Sequence, residues 1–557
     1  MHDLVIRNAL LVDGLGGPPR HGSLAVTSGR IAAVGGEVGA GRQSVDAGGL
    51  ALAPGIIDNH THYDAQVTWD PDLAASSAVG VTTAIIGNCG FTIAPCRPDE
   101  RDLTMRNLTN VEGMSLDALR AGIRWEFETV PEYLAMLERN GSGLNLAAFV
   151  GHSSVRTFVM RDDAARRAAS APEVEAMRGL VAGGMHAGAI GFATSTSPAH
   201  NGDGGIPMPS RLADEAEMFA LTGALGGRGV FMLTKGGHTK VSFLEDIAAR
   251  NGRPVVVAAL LHSNTAPEAV FRDLDEIRAA NARGRRLVGA ISCCPLTMDF
   301  TLEAPYPFEG LAAWKPALGQ RGEAFKRIIA ERSFRDAIRA ELTRPAVFRL
   351  FSGEWEKVVV VETARAANRG LENRSLADIG RSQGKDPLDA ALDLALEEDL
   401  ATVFAALLLN SDEDAVARLI RDPHSLVSLS DAGAHLTFFN DAGFGLHLLG
   451  HWVRERGVLA LEDGVRKLTS EPARVFGIRG RGRLEAGCAA DLMLFDPATV
   501  GRGPKRRAFD LPAGAARLMT PAVGVHGVWV NGEQVVDANG PIPAAPRAGK
   551  LLREFAD

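Results

Sequence analysis

The sequence predicts an α/β fold: a (β/α)8 TIM-type barrel joined to a small β-sandwich domain that is built from both chain termini. The chain of 557 residues is too long for one ordinary domain. Its middle alternates short apolar runs with helical stretches, whereas both ends carry short β-like runs that are separated by glycine-containing turns. Buried strands that alternate with helices are typical of a parallel barrel.

The two ends of the chain predict the smaller domain. Residues 4–34 contain short apolar runs split by glycine-containing turns, which is the pattern of β-hairpins. Residues 490–532 repeat this pattern near the other end. Because the termini of a domain often lie close together, we expect residues 1–51 and 480–557 to form one small β-sandwich domain.

The barrel is predicted over residues 52–479, opening with an apolar run that straddles the boundary with the smaller domain. Eight apolar runs of strand length recur in this part of the chain: residues 51–57, 82–86, 146–150, 189–193, 229–233, 254–258, 286–291 and 425–429. Helical stretches lie between most of them. The segment from about residue 299 to 422 is long for a single crossover, so we expect a helical insertion that covers the mouth of the barrel.

Composition and charge argue against several classes of partner. The formal net charge of -8 gives no basic footprint for nucleic acid, and no apolar run approaches the roughly 18–20 residues that span a membrane. The first residues lack the pattern of a signal peptide. Five cysteines are a sparse, odd set that favours a reducing compartment over a disulfide framework. We therefore expect a cytoplasmic protein with a small-molecule partner, with a homo-oligomer left open.

Two histidines directly follow the first predicted strand. In an extended segment His60 and His62 project to the same side, so both imidazoles can reach one metal ion. The alternative interpretation is a pair of surface loop histidines. A metal site becomes the better interpretation of this pair only if other potential ligands occupy the same end of the barrel.

Such ligands follow three other predicted strands. Cys89 comes after the second strand, His262 after the sixth and Asp431 after the eighth. Taken singly, they have ordinary alternatives: a small buried cysteine, a hydrogen-bonded histidine and a helix N-cap. Active sites of these barrels lie at the carboxyl ends of the strands. The shared position therefore favours a nitrogen, sulfur and oxygen ligand set suited to zinc.

Several motifs together resemble one family. They are His60-Thr61-His62-Tyr63-Asp64, Gly87-Asn88-Cys89-Gly90, Ser430-Asp431 and the tail Leu484-Glu485-Ala486-Gly487-Cys488-Ala489-Ala490-Asp491-Leu492. With these motifs the chain resembles the amidohydrolase superfamily over nearly its whole length. The Asn-Cys-Gly segment is more specifically similar to that of the N-acyl-D-amino-acid deacylases, or D-aminoacylases.

The resemblance implies a metal site with one or two Zn2+ ions, other divalent metals being possible. His60 and His62 match the first-strand ligands, and Cys89 matches a cysteine that can bridge two metal positions. His262 matches the sixth-strand histidine ligand. Asp431 matches the eighth-strand aspartate, which is both a possible ligand and the general base.

Two positions depart from the family pattern. Lys235 occupies the place of the fifth-strand histidine, with His238 three residues further on as a possible replacement. We interpret Lys235 as an ordinary salt-bridged lysine, a carboxylated ligand or a cation near the metal being the alternatives. Asn264 stands where the family usually has a lysine that holds the substrate carboxylate.

The predicted activity is hydrolysis of a non-peptide amide bond, with an N-acyl-(D-)amino acid as the default substrate. The metal polarises a water, Asp431 takes its proton as the amide carbon is attacked, and the proton passes to the leaving nitrogen. His435 is predicted to contact the substrate or the oxyanion, or else to orient Asp431. His152 either lines the pocket or has a structural use, and the pair Cys293-Cys294 is predicted to form pocket wall.

Two other functions stay open. The first is hydrolysis of a cyclic amide or imide, a lactone, a carbamate or a xenobiotic amide on the same scaffold, which the asparagine at position 264 favours. The second is a non-catalytic homologue that binds a ligand. Only the fifth-strand histidine is missing from the expected site, and this favours an enzyme.

Overall fold

The structure, a computed structural model, describes residues 1–303, 305–344, 349–435 and 442–556. Eight parallel strands form one sheet in which each strand pairs with its neighbour along the barrel. Their bounds are Ile56–Asp58, Val81–Ile86, Asn145–Gly151, Gly191–Ser195, Val230–Thr234, Val255–Leu260, Leu287–Ile291 and Ser425–Val427. Each of the eight predicted runs contributes one of these strands, which confirms the predicted barrel.

The first predicted strand divides between two sheets. Ala51–Pro54 pairs with strands of the terminal sheet, and only Ile56–Asp58 belongs to the barrel. The chain passes from one sheet to the other at Gly55, where a Cβ atom would lie 2.1 Å from the side chain of Thr82. The unbroken apolar run over residues 51–57 conceals this passage, because both halves are completely buried.

The barrel is closed by hydrogen bonds just beyond the ends of its first and last strands. The amide of Asp431 donates to the carbonyl of His60 at 3.1 Å, and the amide of His62 donates to the carbonyl of Ala432 at 2.8 Å. The side chain of Asn59 donates to the carbonyl of Val427 at 2.9 Å. This seam fixes the segment of the two predicted histidine ligands directly beside Asp431.

Helices connect most of the barrel strands and extend the chain after the last one. The α-helices span Ala74–Ser77, Arg101–Val111, Leu116–Gly122, Val130–Asn140, His152–Met160, Ala171–His186, Glu215–Gly223, Val241–Asn251, Ala269–Ala282, Glu413–Arg421, Phe444–His447, Leu461–Leu468 and Ser470–Val475, with a π-helix at Leu448–Glu455. Sequence signals set several starts: Thr129 and Ser170 form capping boxes with glutamates three residues on.

Both chain ends build one nine-stranded sheet, as predicted. Its strands are His2–Leu11, Arg20–Thr27, Arg30–Gly35, Gly41–Asp46, Ala51–Pro54, Leu492–Phe495, Val525–Val530, Glu533–Asp537 and Gly540–Pro541. Alternate side chains of the first strand face opposite sides: Leu4 and Ile6 join a core that also contains Trp529, while Val5 joins another. Two nested antiparallel strand pairs lie between these strands along the chain, Gly501–Arg502 with Ala522–Val523 and, inside it, Arg506–Ala508 with Arg517–Met519.

The long segment between the seventh and eighth barrel strands contains helices, as expected, and also a sheet. Three antiparallel strands, Leu296–Phe300, Val358–Glu362 and Val403–Leu409, pair with one another. Its α-helices are Tyr306–Glu309, Gly322–Ala330, Arg332–Leu342, Leu376–Gln383 and Pro387–Glu397. These elements enclose a separate apolar core around Trp314. Within the described ranges, no helix combines the length and the hydropathy needed to cross a bilayer.

Candidate metal centre

Three predicted ligands meet at the carboxyl end of the barrel. The ligand atoms of His60, His62 and Cys89 all lie within 4.8 Å of one another, and all three residues are buried. The Oδ1 atom of Asp431 lies 3.2 Å from Nε2 of His60 and 3.5 Å from Nε2 of His62. The Asp431 side chain keeps 21% of its surface exposed, so the cluster opens on this side.

These separations fit one divalent metal ion. Tetrahedral zinc with bonds of about 2.0–2.3 Å places its ligand atoms roughly 3.3–3.7 Å apart. The distance from Cys89 Sγ to His60 Nε2 is 3.6 Å, and the two histidine–Asp431 distances given above fall close to the same range. The residues present therefore match the donor set and the spacing of a zinc site.

Local backbone conformation brings Cys89 into the cluster. Cys89 has a φ of 57°, in the left-handed region, and follows a tight turn at Gly87. At Gly90, with a φ of 79°, a Cβ atom would lie 2.4 Å from the carbonyl oxygen of Ala193. The Oγ1 atom of Thr234, at the end of the fifth strand, lies 3.1 Å from Cys89 Sγ and fixes the thiol. Strained backbone of this kind is common at functional sites.

Burial and mutual charge set the protonation of the cluster without metal. Burial lowers the pKa of His60 to about 4 and raises the pKa of the Cys89 thiol. Burial would also raise the pKa of Asp431, but its contacts with His62 and His60 hold that pKa well below its usual range. Asp431 is thus an anion beside a neutral His60, which suits the binding of a cation.

Glu112 contacts the His62 ring at the nitrogen that does not face Asp431. Its Oε1 lies 3.3 Å from Nδ1 of His62, and its Oε2 lies 3.6 Å from Nε2 of His435. Burial raises the pKa of Glu112 to about 7. Burial would lower the pKa of His62, but the charge of Glu112 and the contact with Asp431 raise it. The carboxylate therefore orients the His62 ring, as carboxylates behind metal-binding histidines do.

His435 lies beside this cluster. Its backbone amide donates to the Glu112 carbonyl at 2.5 Å, and it has a φ of 52°. Burial lowers the pKa of His435 to about 4. The placement is compatible with either of its predicted uses, contact with the substrate or orientation of Asp431.

His262 lies apart from the three clustered ligands among the described residues. Its amide donates to the Asn410 side chain at 2.8 Å, and its carbonyl accepts from the Asn410 amide at 2.9 Å. The ring is buried, and its Nδ1 atom has no hydrogen-bond partner in the described part of the chain. Asn264, two residues on, donates to Glu354 Oε2 at 2.8 Å.

Lys235 and His238 occupy different environments. The Lys235 ammonium lies 3.0 Å from Asp273 Oδ2 in a mostly buried ion pair, in line with its interpretation as a salt-bridged lysine. His238 lies in an exposed turn. Neither side chain belongs to the described group of three clustered ligands.

His152 and the two adjacent cysteines serve the packing. His152 is completely buried and lies 2.7 Å from Thr194 Oγ1 and 2.8 Å from Glu217 Oε1. The Cys293 thiol donates to the carbonyl of Phe444 at 3.4 Å, and Cys294 is also buried. His152 fits the structural alternative given for it above, and the prediction that the two cysteines form pocket wall stays a prediction.

Sequence reasoning missed Glu112 and Thr234. Glu112 follows the helix Arg101–Val111, and no spacing in the sequence links it to His62. Thr234 could have been predicted by the criterion used for Cys89, a polar side chain at the carboxyl end of a barrel strand, because it ends the fifth strand. A hydroxyl is a weaker signal than a thiol or an imidazole.

The fold and the site together define a class, the metal-dependent hydrolases built on a TIM-type barrel. The model of the amidohydrolase family matches residues 43–287 and 351–536. N-acyl-D-aspartate deacylase from Alcaligenes xylosoxydans xylosoxydans is 30% identical over 99% of this chain and 95% of its own length. D-aminoacylase from the same organism is 30% identical over 96% and 94%.

A solved structure agrees with these relatives. It is that of N-acyl-D-glutamate deacylase from Bordetella bronchiseptica in complex with zinc and a phosphonate inhibitor that mimics the tetrahedral intermediate. The two chains are 28% identical with a TM-score of 0.66, over 99% of this chain and 100% of the other. The chain belongs to the amidohydrolase family, and its resemblance to the N-acyl-D-amino-acid deacylases is confirmed.

Proposed function

We propose that this protein is a metal-dependent amidohydrolase that removes the acyl group from N-acyl-D-amino acids. The observation that carries the proposal is the cluster of His60, His62 and Cys89 with Asp431 beside it. The full-length relatives named above support the choice of substrate class. The predicted roles of the individual residues are part of this proposal.

The proposed metal is Zn2+, with other divalent ions as possible substitutes. His60, His62, Cys89 and Asp431 would hold it, because their donor types and separations fit tetrahedral zinc. A zinc ion bound here supplies Lewis-acid chemistry, and such ions lower the pKa of a bound water to about 7. His262, with its buried and unpartnered Nδ1 in the described part of the chain, is our candidate ligand for a second ion.

Asp431 carries the proton transfers in this proposal. Its carboxylate is ionised, because the neighbouring imidazoles hold its pKa low, and it is the most exposed member of the cluster. One carboxylate oxygen takes the proton of the attacking water, and the same oxygen returns it to the leaving amide nitrogen. Glu112 and Thr234 keep His62 and Cys89 oriented while His435 lies next to the reacting groups.

The test of this function combines metal analysis with a substrate screen. Purified protein is expected to contain one or two equivalents of zinc and to release acetate from N-acetyl-D-amino acids faster than from their L-isomers. His60→Ala is expected to lose both the metal and the activity. Protein that retains zinc but hydrolyses no N-acyl-amino acid would contradict the proposed substrate.

A second candidate function is hydrolysis of a cyclic amide or imide on the same site. The observation in its favour is Asn264, which replaces a cationic side chain and is already hydrogen-bonded to Glu354. Hydantoins and cyclic imides belong in the same screen. Faster turnover of these compounds than of any N-acetyl-D-amino acid would select this alternative.

A reducing compartment is the location that we propose. All five cysteines are free and buried. Thiols in this state persist where the environment is reducing. Cell fractionation of the native organism, followed by immunodetection, tests the proposed cytoplasmic location.

A further inference from the structure

A cavity near the barrel mouth shares a wall residue with the small cavity that contains Asp431. It has a volume of about 390 Å³ and is lined by Thr297, in the insertion strand Leu296–Phe300, and by His447, in the helix after the eighth barrel strand. Its wall includes Thr520, which also lines the small cavity that contains Asp431. The two cavities therefore share part of a wall, and the smaller one contains the proposed general base at the end of the barrel where substrates bind.

Cationic side chains outnumber carboxylates in the described lining of this cavity. Arg454, Arg502 and Lys505 all line it, whereas Glu455 is the one carboxylate among the described lining residues. Arg502 ends the short strand Gly501–Arg502 and Lys505 follows it, whereas Arg454 comes from the π-helix after the barrel. Two parts of the fold thus contribute positive charge to one partly open cavity.

The cationic groups are anchored by the surrounding structure. The Arg454 guanidinium donates to the carbonyl of Val500 and, at 2.7 Å, to Glu455 Oε1. The π-helix can approach Val500 this closely because Gly450 has no Cβ atom. A Cβ atom there would lie only 2.5 Å from the Val500 oxygen. The Lys505 ammonium lies 3.3 Å from Asp299 Oδ1, and its side chain is 36% exposed. Lys505 therefore has donors left for a bound molecule, since an ammonium has three.

Two stacked imidazoles complete the wall. The rings of His447 and His451 lie 5.0 Å apart between centroids and are nearly parallel, at 11°. Nε2 of His447 is buried and has no hydrogen-bond partner among the described residues. His451 contacts Glu413 and Glu455, at 3.0 Å and 3.1 Å. These rings restrict the shape of the space beside the three cationic groups.

We propose that this cavity binds a carboxylate on the part of the substrate that is remote from the scissile amide. The carboxylate belongs either to the acyl chain or to the amino-acid side chain. A guanidinium and an ammonium both bind carboxylates through charge-assisted hydrogen bonds. The volume is many times the roughly 30 Å³ of one water, so it also accommodates the carbon chain that bears the carboxylate. The inference rests on the proposed deacylase function and specifies its substrate class.

The experiment compares three substrates of the zinc-loaded full-length enzyme. N-acetyl-D-leucine has no remote carboxylate, N-acetyl-D-glutamate has one on its side chain, and N-succinyl-D-leucine has one on its acyl chain. We expect one of the two acidic substrates to be preferred, and that substrate identifies the source of the carboxylate. Equal kcat/KM values for all three substrates would overturn the proposal.

Variants at the cavity assign the preference to these residues. Lys505→Met and Arg502→Gln are expected to lower kcat/KM for the preferred acidic substrate by about tenfold or more, which is typical for loss of a charge-assisted hydrogen bond. Both variants should leave N-acetyl-D-leucine within about twofold, and Lys505→Arg should restore the preference. The matched control is Lys550→Met, an exposed lysine beside the first residues of the third barrel strand, at the opposite end of the barrel. A uniform loss on all three substrates would overturn the assignment.

A binding measurement separates failure of this inference from failure of the proposed function. Calorimetry on the zinc-loaded protein compares glutarate with acetate, since both can reach the metal but only glutarate has a second carboxylate. We expect glutarate to bind at least tenfold more tightly, and Lys505→Met to remove the difference. If no N-acyl-amino acid is hydrolysed, this result still supports an anion site in the cavity. Equal affinities for the two acids would overturn it.

Discussion

The carboxylate of Glu112 lies 3.3 Å from Nδ1 of His62, on the side of the ring opposite the nitrogen that faces Asp431. A buried carboxylate in this place fixes the tautomer and the orientation of an imidazole ligand. Both groups are almost completely buried, so water cannot take over the contact. The pair therefore controls how firmly the cluster can hold a metal.

Glu112→Gln is expected to weaken zinc binding by roughly 10–100-fold, as for other groups behind metal ligands. Glutamine keeps the shape of the side chain but removes the charge that favours a strongly donating His62. Competition with a chromogenic chelator measures the affinity. Glu175→Gln, on an exposed helix surface, is the control and should bind zinc like the wild type. Unchanged affinity in Glu112→Gln would refute the supporting role.

Asp431→Asn is expected to lower kcat by about 10²–10⁴-fold, the usual contribution of a general base. The seam of the barrel should survive, because the Asp431 hydrogen bond to His60 uses the backbone amide. Stopped assays with excess zinc separate this loss from weaker metal binding. Full activity in the metal-loaded variant would exclude Asp431 as the base.

The barrel was predictable because its strands are short, apolar and separated by helices. His60, His62, Cys89 and Asp431 were predictable as a set, since each follows a strand and each side chain is a good metal ligand. These four side chains come together because the first and last strands are joined at a seam. The alternation of strands and helices already predicts a barrel that is closed in this way.

The remaining features depend on tertiary contacts that leave no local pattern. Glu112 reaches His62 only because the helix Arg101–Val111 ends against the barrel mouth. The passage from Ala51–Pro54 into the barrel strand is hidden by uniform burial on both sides of Gly55. The length of the segment between the seventh and eighth barrel strands predicts an insertion, but its residue pattern does not predict the three strands.

Gly90→Ala is expected to destabilise the fold by at least about 2 kcal/mol, from left-handed strain together with a backbone clash. The φ of 79° disfavours any side chain, and the new Cβ would lie 2.4 Å from the Ala193 carbonyl oxygen. Urea unfolding measures the change. Gly237→Ala is the matched control, because its Cβ would meet nothing within 4 Å. Equal unfolding midpoints for the two variants would contradict the close approach at Gly90.

His447 makes the stability of the fold depend on pH. Burial, followed by the charges of Arg502 and His451, lowers the pKa of His447 to about 3 from an ordinary value of 6.5. Between these values the unfolded chain binds a proton that the folded chain does not bind. The contribution of His447 to stability is thus complete above pH 6.5 and is lost progressively as the pH falls towards 3.

His447→Gln removes this dependence. The difference in unfolding free energy between wild type and variant should shift by roughly 2 kcal/mol, against the wild type, when the pH falls from 7.5 to 5. Chemical unfolding of metal-loaded protein at both pH values measures it. His238→Gln, at an exposed position, is the control, and its unfolding free energy should change with pH in the same way as that of the wild type. If the unfolding free energies of the wild type and His447→Gln changed by the same amount between the two pH values, His447 would accept a proton as readily in the folded chain as in the unfolded one.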